Sequence, residues 1–115
     1  MTAEMTPVFR YVDQTIITGE VSDGDRKVFL TEKESLVLGV LVRAKGRVVP
    51  HELFTRDLYP IIADEPDNPK ETLNQFIHRL RVKLEPFGIR IETKQGLGWS
   101  FPIGQLAVDW KEVKL

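Results

Sequence analysis

The chain contains no cysteine and only two histidines among its 115 residues. Without thiols there is no disulfide framework, no cysteine-ligated zinc and no cysteine nucleophile, and a reducing compartment suits such a chain. His51 and His78 fall in separate stretches, without metal-ligand spacing and without a serine nucleophile signature nearby. Neither a metal, another cofactor nor catalysis is expected. The "GLG" at residues 96–98 lacks the strand-loop-helix context of a phosphate cradle, and turn geometry explains it better. Long apolar runs are also missing, so no segment approaches the roughly 20 residues that cross a bilayer. The start "MTAEMTPVFRYV" lacks the basic and apolar regions of a secretory signal. A cytoplasmic protein without membrane contact is the expectation.

What remains, 42% apolar and 29% charged, suits one domain with a modest core. The formal net charge of −1 argues by itself against a nucleic-acid partner. The charge is unevenly placed, however. Residues 1–69 carry 8 Lys and Arg against 12 Asp and Glu, whereas residues 70–99 carry 6 against 3. Screening limits each charge to a neighbourhood of about 8–10 Å, so a phosphate would feel the local surplus.

Turn and periodicity signals order the elements. "VFRYV" (8–12), "QTIIT" (14–18) and the run after the Asp-Gly turn in "VSDGDRKVFL" read as a small N-terminal antiparallel sheet over residues 8–30. Thr31, three residues before Glu34, has capping-box spacing and opens a helix over about 32–44, with Leu36, Val37, Val40 and Leu41 on its apolar side. "RVV" (47–49) reads as a short strand. "PHELFTRDLY" reads as a second helix with Leu53, Phe54 and Leu58 on one side. "PIIADEPDNP" is a loop ending in a start signal, with Asn68 as cap, Pro69 at the first helical position and Glu71 three residues on. A third helix should run from Pro69 to about Glu85, closing a helical core over 32–86. "IRIET" and "GWSFPI" then flank "KQGLG" as a β-hairpin over 89–103. The tail, 104–115, has no assignable structure.

Projected at 100° per residue, the third helix gathers Leu73, Ile77, Leu80 and Leu84 into one stripe, with Phe76 beside it. Glu71, Gln75, His78 and Val82 lie opposite, Arg79 flanks them, and Arg81 and Lys83 mark the two margins. A helix in a DNA major groove needs that division: one side docks, amides and guanidinium groups meet base edges, and flanking cations meet phosphate. A solvated outer face is the other reading of the helix alone.

The blocks "LTEKESLVLGVL", "GRVVPHELF", "IHRLRVKLEPFG" and "IETKQGLGWSF" resemble, in order and spacing, the OmpR/PhoB-type winged helix-turn-helix domain, the output half of many bacterial response regulators. The resemblance covers roughly residues 8–103. It implies an α+β fold with a four-stranded N-terminal antiparallel sheet, three helices and a C-terminal β-hairpin wing. It also implies a transcription regulator that binds double-stranded DNA, commonly as a homodimer on direct repeats or beside a partner regulator. Matched position by position, the base-facing residues are Gln75, Arg79 and Asn74, with Glu71 close by. The phosphate-facing residues are Thr72, His78, Arg81, Thr93 and Trp99, to which charge and projected position add Lys83 and Lys94. At the wing tip, Gln95 beside Gly96 replaces an arginine common in the family, and Glu71 stands where the family is often basic, which suits a helix cap. The loop carrying Asp64, Glu65 and Asp67 lies where the family meets RNA polymerase, and a plain solvated connector is the rival reading. No receiver domain precedes these blocks, so a stand-alone effector domain is expected. The competing function is a winged-helix protein-interaction module with lost or weakened DNA binding.

Overall fold

The computed structural model describes residues 6–13, 18–59 and 61–112. Strands β1 (Val8–Asp13), β2 (Thr18–Ser22) and β3 (Lys27–Leu30) lead into helices α1 (Glu32–Arg43), α2 (His51–Leu58) and α3 (Pro69–Leu84). Strands β4 (Glu92–Lys94) and β5 (Gly98–Ser100) form a hairpin, and β6 (Ala107–Glu112) follows. The fold is the α+β winged helix that the sequence predicts. Of the strand expected over residues 14–18, Thr18 opens β2 and the rest lies outside the described residues.

The four-stranded sheet departs from expectation in one respect. β2 pairs antiparallel with β1 and β3, but the fourth strand is β6, which lies parallel to β1 in the order β3-β2-β1-β6. The tail that sequence left unassigned therefore completes the sheet. Leu106 and Val108 supply the reason, since both pack half-buried against the core. Gln105 adds an anchor: its amide donates to Arg90 O at 2.9 Å and accepts from the Arg90 N–H at 2.7 Å.

The capping box at α1 is complete. Thr31 Oγ1 accepts from the Glu34 N–H at 3.3 Å, and Glu34 Oε1 accepts from the Thr31 N–H at 2.8 Å. α1 lies close on the sheet, because a Cβ on Gly19 would stand 2.5 Å from Ser35 Oγ. The expected strand at 47–49 reduces to a single bridge between Val49 and Trp99. In α2, Phe54 and Leu58 are buried, whereas Leu53 is 40% exposed. Leu53 sits 100° around the helix from Phe54 and so misses the contact stripe.

α3 docks as its periodicity predicts. Leu73, Ile77, Leu80 and Leu84 are all buried and Phe76 is half-buried. Each fully buried Leu or Ile contributes about 2 kcal/mol of transfer free energy, which fixes the rotation of the helix and hence what its other face presents. α3 ends at Leu84, one residue before expectation, and a 3-10 turn over Glu85–Phe87 follows. The turn begins where Pro86 withdraws its N–H from the helical ladder.

Candidate nucleic-acid interface

The start of α3 is built by Asn68. Its Oδ1 accepts from the Glu71 N–H at 3.2 Å, and its Nδ2 donates to the Glu71 carboxylate at 3.0 Å. Glu71 thus has a partner within its own cap, while favouring the positive end of the helix dipole. Thr72 Oγ1 donates to Asn68 O at 3.1 Å.

With the apolar stripe buried, Asn74, Gln75, His78 and Arg79 all project into solvent. Val82, 57% exposed, continues that face. The Arg79 guanidinium lies 6.0 Å from the Phe76 ring centroid, a cation–π distance that limits where the long side chain can swing. Arg81 turns toward the hairpin, where Nη2 donates to Ile91 O at 2.8 Å and to Thr93 Oγ1 at 2.7 Å. Two residues expected at phosphate, Arg81 and Thr93, are therefore brought together, and their bond couples α3 to β4.

Lys83 does not join them. Its ammonium donates to Glu34 Oε1 at 2.6 Å and to Phe29 O at 3.1 Å, and it points inward toward α1 and the end of β3. The expectation of a phosphate contact is corrected by this pairing, because Glu34 is 1% exposed and needs a counter-charge. Burial pushes the Glu34 carboxyl upward, but the hydrogen bonds from Lys83 and Thr31 and the charge of Lys83 together hold it below its ordinary value.

At the hairpin, Thr93, Lys94, Gln95 and Gly96 are exposed. Lys94 Nζ lies 3.0 Å from the Glu92 carboxylate. Trp99, also expected at phosphate, is only 6% exposed, with its ring edge-on to Phe54 at 5.9 Å. Most of that side chain is core, and a sliver borders the cleft between α3 and the hairpin. The hairpin base is held by Val49 N–H to Trp99 O at 2.7 Å and Trp99 N–H to Val49 O at 3.1 Å. Gly98, with φ at +144°, permits this closeness, since a Cβ there would fall 2.1 Å from Val49 O. Gly98→Ala is expected to pull the hairpin from α2 and cost about 2 kcal/mol, read as the loss in a denaturant titration. A variant as stable as the parent would contradict the clash.

The cleft between the first turns of α3 and the hairpin is lined by His51, Lys70, Asn74 and Thr93, among others. No sequence motif singled out His51 or Lys70. Lys70 was legible only as part of the local basic surplus, and His51 reaches the cleft because the Val49–Trp99 bridge brings the start of α2 beside the hairpin. Elsewhere, Asp64 closes a 3-10 turn over Ile62–Asp64, and Asp64, Glu65 and Asp67 are exposed. Glu65 lies near enough to Tyr59 that its charge joins burial in raising the phenol's pKa. Among the described residues, no cluster of three or more His, Asp or Glu could hold a metal, and no helix is long and apolar enough to cross a membrane.

Comparison with known proteins places the fold and the family. Residues 25–101 match the family described as transcriptional regulatory protein, C terminal. The response regulator protein GraR of Staphylococcus aureus (strain MRSA252) is 33% identical over 81 residues, covering 69% of this chain and 35% of GraR. This chain thus spans about a third of the length of that curated relative. Among solved structures, the C-terminal domain of the nisin resistance regulator NsrR superposes with a TM-score of 0.62 at 25% identity, covering 88% of this chain and 93% of that one. The DNA-binding domain of the response regulator AdeR, in complex with an intercistronic region, gives 0.58 at 18% identity over 74% of this chain and 85% of that one, a likeness of fold. Family and fold are those of a transcription regulator's DNA-binding domain. The chain belongs to the transcriptional regulatory protein C-terminal family, the OmpR/PhoB-type winged-helix DNA-binding domains.

Proposed function

We propose that this domain binds double-stranded DNA sequence-specifically as a transcription regulator, with α3 in the major groove and the hairpin on the adjacent backbone or in the minor groove. The observation that carries this reading is the exposed row Asn74, Gln75, His78 and Arg79 on a helix whose opposite stripe is buried. Gln75 has the amide geometry for adenine and Arg79 the fork for guanine. Thr72, His78, Arg81, Thr93 and Lys94 meet phosphate on either side, with Trp99 at the margin. The decisive experiment selects bound duplexes from a random pool at two salt concentrations. A defined motif is expected, with affinity falling by a log–log slope of about −0.9 for each phosphate neutralised. Recurrence of the motif in tandem would give the spacing of protomers on direct repeats. Binding that ignores salt would favour a protein partner instead.

That second reading has one specific observation behind it. The hairpin tip presents Gln95 and an exposed Leu97 where a minor-groove cation would be, leaving Lys94 to share its charge with Glu92. The acidic loop offers a route by which both readings hold, with RNA polymerase as the protein partner. Combining Asp64→Asn, Glu65→Gln and Asp67→Asn is expected to abolish activation of a target promoter while leaving DNA affinity intact or improved, as transcription and gel-shift assays would report. Loss of DNA binding in this variant would remove the loop from polymerase contact.

A further inference from the structure

The cleft between α2, α3 and the hairpin has a chemical bias. The side chains of His51, Lys70, Asn74, Thr93, Lys94 and Gln95 that border it all carry hydrogen-bond donors, and among the described residues no Asp or Glu lines it. The nearby carboxylates stand outside that lining, Glu52 at 3.5 Å from His51 Nδ1 and Glu92 at 3.0 Å from Lys94 Nζ. A concavity offering donors and cations without an acceptor charge suits an anion.

Its position narrows the choice of anion. One wall is the start of α3, which carries Asn74 on the exposed face, and the other is the hairpin from Thr93 to its tip. A duplex with one groove on α3 and the neighbouring groove at the hairpin has a single sugar-phosphate strand between them, and that strand must pass this cleft. Two backbone hydrogen bonds join Val49 to Trp99 two residues before His51, so the start of α2 is tied to the hairpin base beside the cleft.

We propose that His51 and Lys70 are phosphate-positioning residues, gripping the DNA strand that runs between the two grooves. The proposal rests on the DNA-binding reading above and extends it to two residues outside the sequence motifs. Such contacts carry no base information, so they set register and affinity without choosing sequence.

The test uses the whole chain and the duplex chosen by selection. Lys70→Ala is expected to weaken binding roughly tenfold, equally for selected and scrambled duplexes, and to reduce the salt slope by about 0.9. His51→Gln should weaken both duplexes as well, by a smaller factor. Scanning neutral methylphosphonates along the duplex should find one or two positions that weaken the parent but add nothing to the loss in Lys70→Ala. Thermal melting checks folding, which these solvent-facing side chains should leave unchanged. If the parent binds with a salt slope while both variants match its affinity and slope, the cleft assignment is overturned and the DNA reading stands. A variant that alters the selected sequence overturns it too, since the residue would then be reading bases. If the parent selects no duplex at all, the DNA reading falls and this proposal with it.

Discussion

Lys83→Met should unfold more readily than the parent by about 2 kcal/mol, less than the roughly 3–5 kcal/mol for breaking a fully buried ion pair because Lys83 is itself 30% exposed. Glu34 is 1% exposed and would keep its carboxylate without the ammonium now 2.6 Å away. Against a total stability of about 5–15 kcal/mol, that loss is large. The pH dependence identifies its source. In the parent, the folded pKa of Glu34 lies below the ordinary 4.5, so its stabilisation is present above 4.5 and is lost as pH falls through the folded value. In Lys83→Met the hydrogen bond and charge of Lys83 no longer oppose burial, while the Thr31 bonds remain, so the folded pKa should rise relative to the parent. Protonation then relieves the variant at a higher pH than the parent, and the gap between them narrows as pH falls. Adding Glu34→Gln should restore part of the loss at neutral pH, because no buried charge is left alone. Denaturant titrations at pH 7 and pH 5 would measure both effects. A gap that is the same at the two pH values would mean that Lys83 stabilises by packing its methylenes and not by neutralising Glu34.

The second large effect concerns recognition. Arg79→Ala should lose about 1–3 kcal/mol on the selected duplex, a drop of roughly fivefold to 150-fold, and lose much less on scrambled DNA. The difference between the duplexes matters more than the size of either loss. Arg79 is exposed and its guanidinium lies over the face of the half-buried Phe76, so truncation leaves the core as it was. Arg79→Lys should keep the charge without the fork and retain affinity better than specificity. Equal losses on both duplexes would make Arg79 a phosphate contact, and no loss on either would take α3 out of the groove.

The helices were legible because their signals are local. Thr31 and Glu34 announce a capping box within four residues, and Leu73, Ile77, Leu80 and Leu84 repeat at a period that only a docked helix satisfies. Lys83 was misread because it lies at the margin of α3, where projection alone leaves its direction open. What turns it inward is Glu34, on another helix and buried, and nothing within α3 encodes that. The burial of Trp99 is hidden from the sequence for a similar reason, since it depends on Phe54 in α2. The exposed row on α3 was easier to see, being the complement of the buried stripe. The cleft is not legible in the sequence because its walls come from three elements and its lining from single residues, none of which forms a motif. β6 escaped because the partner that makes it a strand is β1, at the far end of the chain.

That pairing bears on how the molecule forms. Val8 lies beside Ala107 in parallel register, so all three helices and the hairpin sit inside one loop closed by β1 and β6. Closing so long a loop costs chain entropy before any strand contact repays it, and such non-local pairing slows folding. β1 is made early and cannot acquire this neighbour until Ala107–Glu112 has been synthesised. The sheet is therefore completed only by a segment that lies beyond all three helices and the hairpin in the chain.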